Sequence, residues 1–189
     1  MQNKAENTQE YRTLFGAVLQ HKPEHMTHLH GNTLVYKDDP RIVFRGQLDF
    51  LQAEVLLLIK EAPQASETLT DILTLLRRIM RCDVLNEPLG EITLGGLDRE
   101  QLREHSHHPE RYYNQGHFLP EETDGIFLLK LNRLRTLARQ AEITAYRAYR
   151  NENGVCTRED ILTAMNRLSS FLWILIIKCK AEEEVSENE

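Results

Sequence analysis

The chain is 189 residues long, 41% hydrophobic and 28% charged, with a formal net charge of -6, proportions that fit one soluble domain with a full-sized core. The acidic balance excludes a general nucleic-acid or anionic-membrane surface, so any basic cluster must act locally. Cys82, Cys156 and Cys179 stand far apart and in no CxxC pattern, which points to a reducing cytoplasm and not to a disulfide framework or a cysteine metal site. The longest apolar run, Phe171 to Ile177, is too short to cross a bilayer, and the N-terminal MQNKAENTQE lacks the apolar core of a signal peptide.

Taken in order, the chain opens with a polar, irregular segment over residues 1–21. Residues 1 to about 10, like the acidic stretch 181–189, are expected to be mobile tails. From Tyr11 to Tyr36 no period is clear. Four histidines gather there, His21, His25, His28 and His30, but Pro23 interrupts the one His-x3-His pair and speaks against a metal site. Gly31, Asn32 and Thr33 read as a turn with exposed N–H groups; such a turn can hold phosphate, and any surface turn looks like this.

The first clear helix starts at Asp39-Pro40, a good cap followed by a good first helical residue, and runs to about Lys60. Its seam is Phe44, Leu48, Leu51, Val55 and Leu58, with Asp49 just off it, one turn from a plain partner in Arg45. A second helix runs from about Glu67 to Leu85, with Arg77, Arg78 and Arg81 on its solvated side. Between Asn86 and Thr123 glycines and prolines break the pattern, leaving one short helix from Asp98 to about His105. So long a connection in a compact domain is usually functional or disordered. It carries HSHHP, Tyr112, Tyr113 and HFLP (His117 to Pro120), residues suited to a lid or to the lining of an apolar ligand.

Two long helices close the chain, Asp124 to Arg150 and Thr157 to about Lys180, joined by a turn at Gly154. Thr157 and Asp160 have the spacing of a capping box. Phe171 to Ile177 is apolar on every face, so part of it is expected against another subunit. Before it, Asn166, Ser169 and Ser170 form a polar notch, either a structural tie or a ligand contact. The expected fold is all-α, an antiparallel bundle of about five helices over residues 22–180.

On the first of these two helices the seam Phe127, Leu131, Leu134, Ala138, Ala141, Ala145 and Ala148 faces the core. Arg135, Arg139 and Glu142, spaced by four and three, share another face. Two arginines one turn apart repel by a few tenths of a kcal/mol, roughly. Glu142 can relieve one of them. A carboxylate from elsewhere or a bound anion such as a polyphosphate suits the other, and a plain solvated face is the alternative.

Six stretches in one order, KPEHMTHL, DDPRIVFRGQLD, RRIMRCDVLNEPL, LREHSHHPERY, LLKLNRLRTLARQAE and REDILTAMNRLSSFLWIL, resemble the corrinoid adenosyltransferases, the ethanolamine-utilisation type more than the propanediol-utilisation type. The resemblance covers Lys22 to Lys178. It implies transfer of the 5′-deoxyadenosyl group of ATP to cob(I)alamin, with magnesium accompanying ATP, on a helical bundle with active sites between subunits of a homotrimer, a dimer being the other possibility. It implies catalytic roles for Arg135, Arg139 and Glu142 and cofactor-binding roles for Asn166, Asp49, Phe118, Thr27 and Lys37, with Glu142 and Asn166 as candidates to share magnesium. Asp49 falls on the acid that pairs with the first arginine, across subunits, and Phe118 on the aromatic that approaches the corrin face. Thr27 to Thr33 departs from the propanediol type's phosphate loop, rich in Gly, Asp and Thr.

The resemblance also implies a cytoplasmic protein, within or beside a bacterial microcompartment, with a reductase and ethanolamine ammonia-lyase as partners and no nucleic acid or membrane. The alternative is a non-catalytic corrinoid carrier or docking subunit on the same fold. The ethanolamine type carries a histidine and a cysteine cluster just upstream of the segment matching KPEHMTHL. Here that stretch reads YRTLFGAVLQH, without cysteine, so a protein without zinc or iron of its own is expected.

Overall fold

The computed structural model describes residues 10–187; residues 1–9 and 188–189, within the two tails, lie outside them. Among the described residues six helices follow one another: α1 (Pro40–Glu61), α2 (Ser66–Leu85), α3 (Arg99–His107), α4 (Pro109–Tyr113), α5 (Ile126–Tyr149) and α6 (Glu159–Glu187). Asp39 caps α1 as expected, its side chain accepting from the Arg41 N–H at 2.9 Å. The capping box belongs to α3, where Asp98 and Gln101 exchange bonds. It does not form at α6, because the Thr157 hydroxyl donates to the Tyr149 carbonyl at 2.8 Å and Asp160 is taken by Arg158 and the Leu89 N–H.

α5 is the central helix, packed on α6 along one side and on α1 along another; α1 also packs on α2, and α3 and α4 lie across α6. Between them sits a core in which Phe44, Leu48, Leu69, Ile72, Leu76, Ile79, Leu128, Leu168 and Leu172 are sealed from water. The apolar half of α6 is covered within the chain: Phe171, Leu172, Ile174, Ile176 and Ile177 are buried against the chain's own elements. Trp173 and Leu175 of the same stretch stay partly exposed, so the part left for a second subunit is small. By length and composition α6 could span a bilayer, but half of that stretch is buried in the fold, as in the core helix of a bundle.

The domain is not all-α. Before α1 lie four strands, β1 (Tyr11–Thr13), β2 (Val18–Leu19), β3 (Met26–His30) and β4 (Thr33–Tyr36), in a sheet of order β2-β1-β4-β3. β1 runs parallel to β4 and the other pairs are antiparallel. The sequence hides this sheet because each strand is five residues or shorter, less than an alternating pattern needs to declare itself. The turn at Gly31 and Asn32 is where the residues placed it, joining β3 to β4, with Gly31 in the left-handed region at φ +50°. His21, His25, His28 and His30 are all exposed, and among the described residues no three His, Cys, Asp or Glu side chains converge as a metal site.

What ties this sheet to the bundle is a buried carboxylate. Asp83 of α2 is fully buried and accepts from Arg41 Nε and Nη2 at 3.0 and 2.7 Å, from the Tyr149 hydroxyl at 2.5 Å, and from Arg45. Arg45 continues to the Leu29 carbonyl at 2.7 Å on β3, so it is engaged here and not with Asp49. Burial alone would push the Asp83 carboxyl up, but the Tyr149 hydroxyl and the two guanidinium groups outweigh it and hold it below the ordinary carboxylate value.

Candidate active site

α5 and α6 run side by side, and at their middle the loop after α4 lies against them to line an open cavity of about 510 Å³. Arg135, Arg139 and Glu142 reach it from α5, Asn166 from α6 and Phe118 from the loop. Five residues singled out in the sequence thus meet in one place. Their spacing explains it: on α5 the four-and-three interval keeps one face, while buried Ala138 and Ala141 on the neighbouring stripe hold the helix to the core.

Asn166 Nδ2 donates to Glu142 Oε1 at 2.9 Å, and Asn166 Oδ1 accepts from Arg167. The asparagine is thus a structural tie between the two helices and a wall of the cavity at once. Glu142 spends one oxygen on Asn166 and none on the arginines. Neither Arg135 nor Arg139 has a carboxylate within ion-pair distance among the described residues. Burial, and then the Arg139 cation, lower the pKa of Arg135 from its ordinary value. A guanidinium stays charged all the same, so an anion in the cavity would relieve both costs. Arg167 adds to this field: its Nε is buried with no hydrogen-bond partner, and burial followed by the Arg103 and Arg99 cations lowers its pKa.

The other wall is aromatic. Trp173 stacks with Phe118 (centroids 5.5 Å apart) and with His117 (5.8 Å, planes 9° apart), and the Arg135 guanidinium lies 5.1 Å from its ring centre. The sequence reading missed Trp173, although a signal was there: it stands seven residues after Asn166, on the face that also carries Ser169 and Ser170, which line the cavity too. Ser106, His107 and His117, also in the lining, belong to the HSHHP and HFLP stretches that the sequence offered as lid or lining.

Asp49, Thr27 and Lys37 are elsewhere in the single chain. Asp49 is exposed on α1, Thr27 is half-buried on β3, and Lys37 is exposed just past β4. The paired partner expected for Arg135 is not supplied by its own chain; Arg135 instead donates to Asn132 Oδ1 at 3.2 and 3.1 Å.

Six helices and a four-stranded sheet thus frame a cavity that sets two arginines and a carboxylate beside an aromatic wall. The chain belongs to the cobalamin adenosyltransferase family, whose sequence profile matches residues 17–179. Among its relatives, the corrinoid adenosyltransferase EutT of Escherichia coli K12 is 41% identical over 157 residues, which are 82% of this chain and 59% of the relative. EutT of Salmonella typhimurium LT2 is 37% identical over 166 residues, 87% of this chain and 62% of the relative. The chain spans about three fifths of the length of these curated relatives.

The fold is that of a PduO-type ATP:corrinoid adenosyltransferase from Lactobacillus reuteri. A variant of that enzyme complexed with cobalamin and ATP matches with a TM-score of 0.66 at 18% identity, over 85% of this chain and 91% of that one. A second variant, complexed with ATP, matches with a TM-score of 0.59 at 19% identity, over 85% and 92%.

Proposed function

We propose that this chain transfers the 5′-deoxyadenosyl group of ATP to the cobalt(I) of a corrinoid, forming the cobalt–carbon bond and breaking the bond from the 5′-carbon to the phosphate oxygen. The observation that carries this is the meeting of Arg135, Arg139, Glu142 and Asn166 with the Phe118–Trp173 wall in one cavity. Cobalt(I) is itself the nucleophile, so the protein needs no activated serine or cysteine. Its work is to hold the 5′-carbon in line and to offset the charge that grows on the departing phosphates. Arg135 and Arg139, cations without carboxylate partners, suit the second task. Phe118 and Trp173 offer the apolar face that a corrin ring needs and keep water from it.

Magnesium would accompany ATP and share the phosphate charge. Glu142 suits it better than Asn166 does, because the Asn166 amide oxygen already accepts from Arg167, while one Glu142 oxygen remains beyond its bond to Asn166. Asp49, Thr27 and Lys37 fit this reading if a second copy of the chain completes each cavity, as in a homotrimer. The relatives' name, corrinoid adenosyltransferase EutT, supports a place in ethanolamine utilisation; a cytoplasmic location in or beside a microcompartment, with a reductase and ethanolamine ammonia-lyase as neighbours, is part of the same proposal.

The test is anaerobic incubation with MgATP and chemically reduced cobalamin, followed by absorbance. Conversion to adenosylcobalamin is expected. Corrinoid binding without conversion would instead point to a carrier on this fold.

A further inference from the structure

We infer that His117 is a positioning residue whose neutral imidazole latches the Phe118 loop onto Trp173, and that protonation of the imidazole releases the latch. The latch stands on geometry alone; its consequence for turnover rests on the adenosyltransferase reading.

Trp173 Nε1 donates to His117 Nδ1 at 3.1 Å, and His117 Nε2 lies 3.3 Å from the His107 carbonyl oxygen. An indole N–H can only donate and a carbonyl can only accept. One neutral tautomer meets both demands: a bare Nδ1 facing the indole and a hydrogen on Nε2 facing the carbonyl. The imidazole therefore bridges the end of α3 to the middle of α6 while lying flat beside the indole. Phe118, the next residue, stacks on the same indole, so holding His117 fixes where Phe118 sits. The ends of the loop are pinned separately, Gln115 by Glu184 at 3.4 Å, Asp124 by Lys180 at 2.8 Å and the Gly125 N–H by Glu183 at 3.3 Å, and His117 is the tie next to Phe118.

A second proton would go to Nδ1. That nitrogen would then be a donor facing a donor, and the Trp173 bond is lost. Charged and titratable groups of the neighbouring elements face the ring. From α5 the cavity presents Arg135, already 5.1 Å from the Trp173 ring centre, together with Arg139 and Glu142; α3 presents His107; Lys180 of α6 lies 5.8 Å from the Phe118 ring centre. Of the carboxylates nearby, Glu142 gives one oxygen to Asn166 and Glu184 of α6 accepts from Gln115 at 3.4 Å. Protonation thus breaks the Trp173 bond and frees Phe118 from the wall.

Trp173 is the chain's single tryptophan, so its emission reports the latch without any ligand. The ligand-free protein titrated between about pH 5 and 8 should show a one-proton transition in that emission. His117→Asn, which supplies an acceptor near the place of Nδ1 but cannot take the proton, should abolish it, and His107→Gln should leave it in place. No transition in the unsubstituted chain, or one that survives in His117→Asn, overturns the latch.

In the turnover assay, His117→Ala should lower kcat about tenfold or more, the scale of a small misplacement, with the KM for MgATP within about twofold. His117→Asn should restore kcat at neutral pH and remove the acid limb of the pH profile. Turnover indifferent to both variants overturns the consequence for Phe118. If His117→Ala does not fold by circular dichroism, His117→Asn alone decides between these outcomes. If the unsubstituted chain shows no transfer, the adenosyltransferase reading fails while the emission titration still judges the latch.

Discussion

Removing the Asp83 carboxylate should be among the most damaging single changes outside the cavity. Asp83→Ala leaves the Arg41 and Arg45 side chains, only 19% and 14% exposed, without their shared counter-charge and the buried Tyr149 hydroxyl without its acceptor. Stranding one partner of a buried pair costs about 3–5 kcal/mol; because both guanidinium groups keep some water, the lower end, about 3 kcal/mol, is expected. For a chain of this size that lowers Tm by about 10 °C. Urea unfolding followed by circular dichroism measures it directly, and Asp83→Ala combined with Arg45→Ala should cost less than the sum of the two.

The pH dependence has a definite sign. Asp83 is held below its ordinary carboxylate value in the folded chain, so its contribution is present above the unfolded value of about 3.9 and is lost as pH falls through the folded one. Asp83→Asn should therefore flatten the loss of stability below about pH 4. A folded Asp83→Ala variant within about 0.5 kcal/mol of the parent, the range of ordinary surface changes, would refute the reasoning.

Arg139→Ala should keep helix content while lowering transfer by on the order of a hundredfold, the usual scale for one lost donor to a developing anion; normal turnover would remove Arg139 from the site. Asp49→Ala and Arg135→Ala, in different regions of one chain, should each cost about 3 kcal/mol and combine less than additively if the pair forms across copies, whereas strictly additive stabilities count against a shared interface. Protein treated with a chelator and then given magnesium should transfer as well as untreated protein; close to one zinc or iron per chain, lost together with activity, would show a resident metal.

The four long helices could be read because each is long enough for the 3.6 period to repeat, whereas the five-residue α4 was missed; Arg135, Arg139 and Glu142 could be read because one helix sets their spacing. The sheet could not, since its strands are too short to alternate visibly. Asp83 looked like any residue near a helix end; only the fold shows that Arg41, Arg45 and Tyr149 converge on it. His117 and Trp173 are 56 residues apart, a pairing made by how the loop lies across α6 and not by any local pattern. Asn166 was open between tie and ligand contact, and its bonds to Glu142 and Arg167 make it a tie that also faces the cavity.

Ala138, Ala141 and Ala145 are completely buried along α5. The separation of packed helices follows the size of the side chains between them, so these three methyl groups act as spacers, and the 2.9 Å reach from Asn166 to Glu142 depends on the gauge they set. A branched side chain at Ala141, one residue from Glu142, would find no free volume and push its neighbours apart. The width of this cavity is therefore set by residues that carry no polar group at all, and a change from alanine to valine there would alter it while leaving every polar group intact.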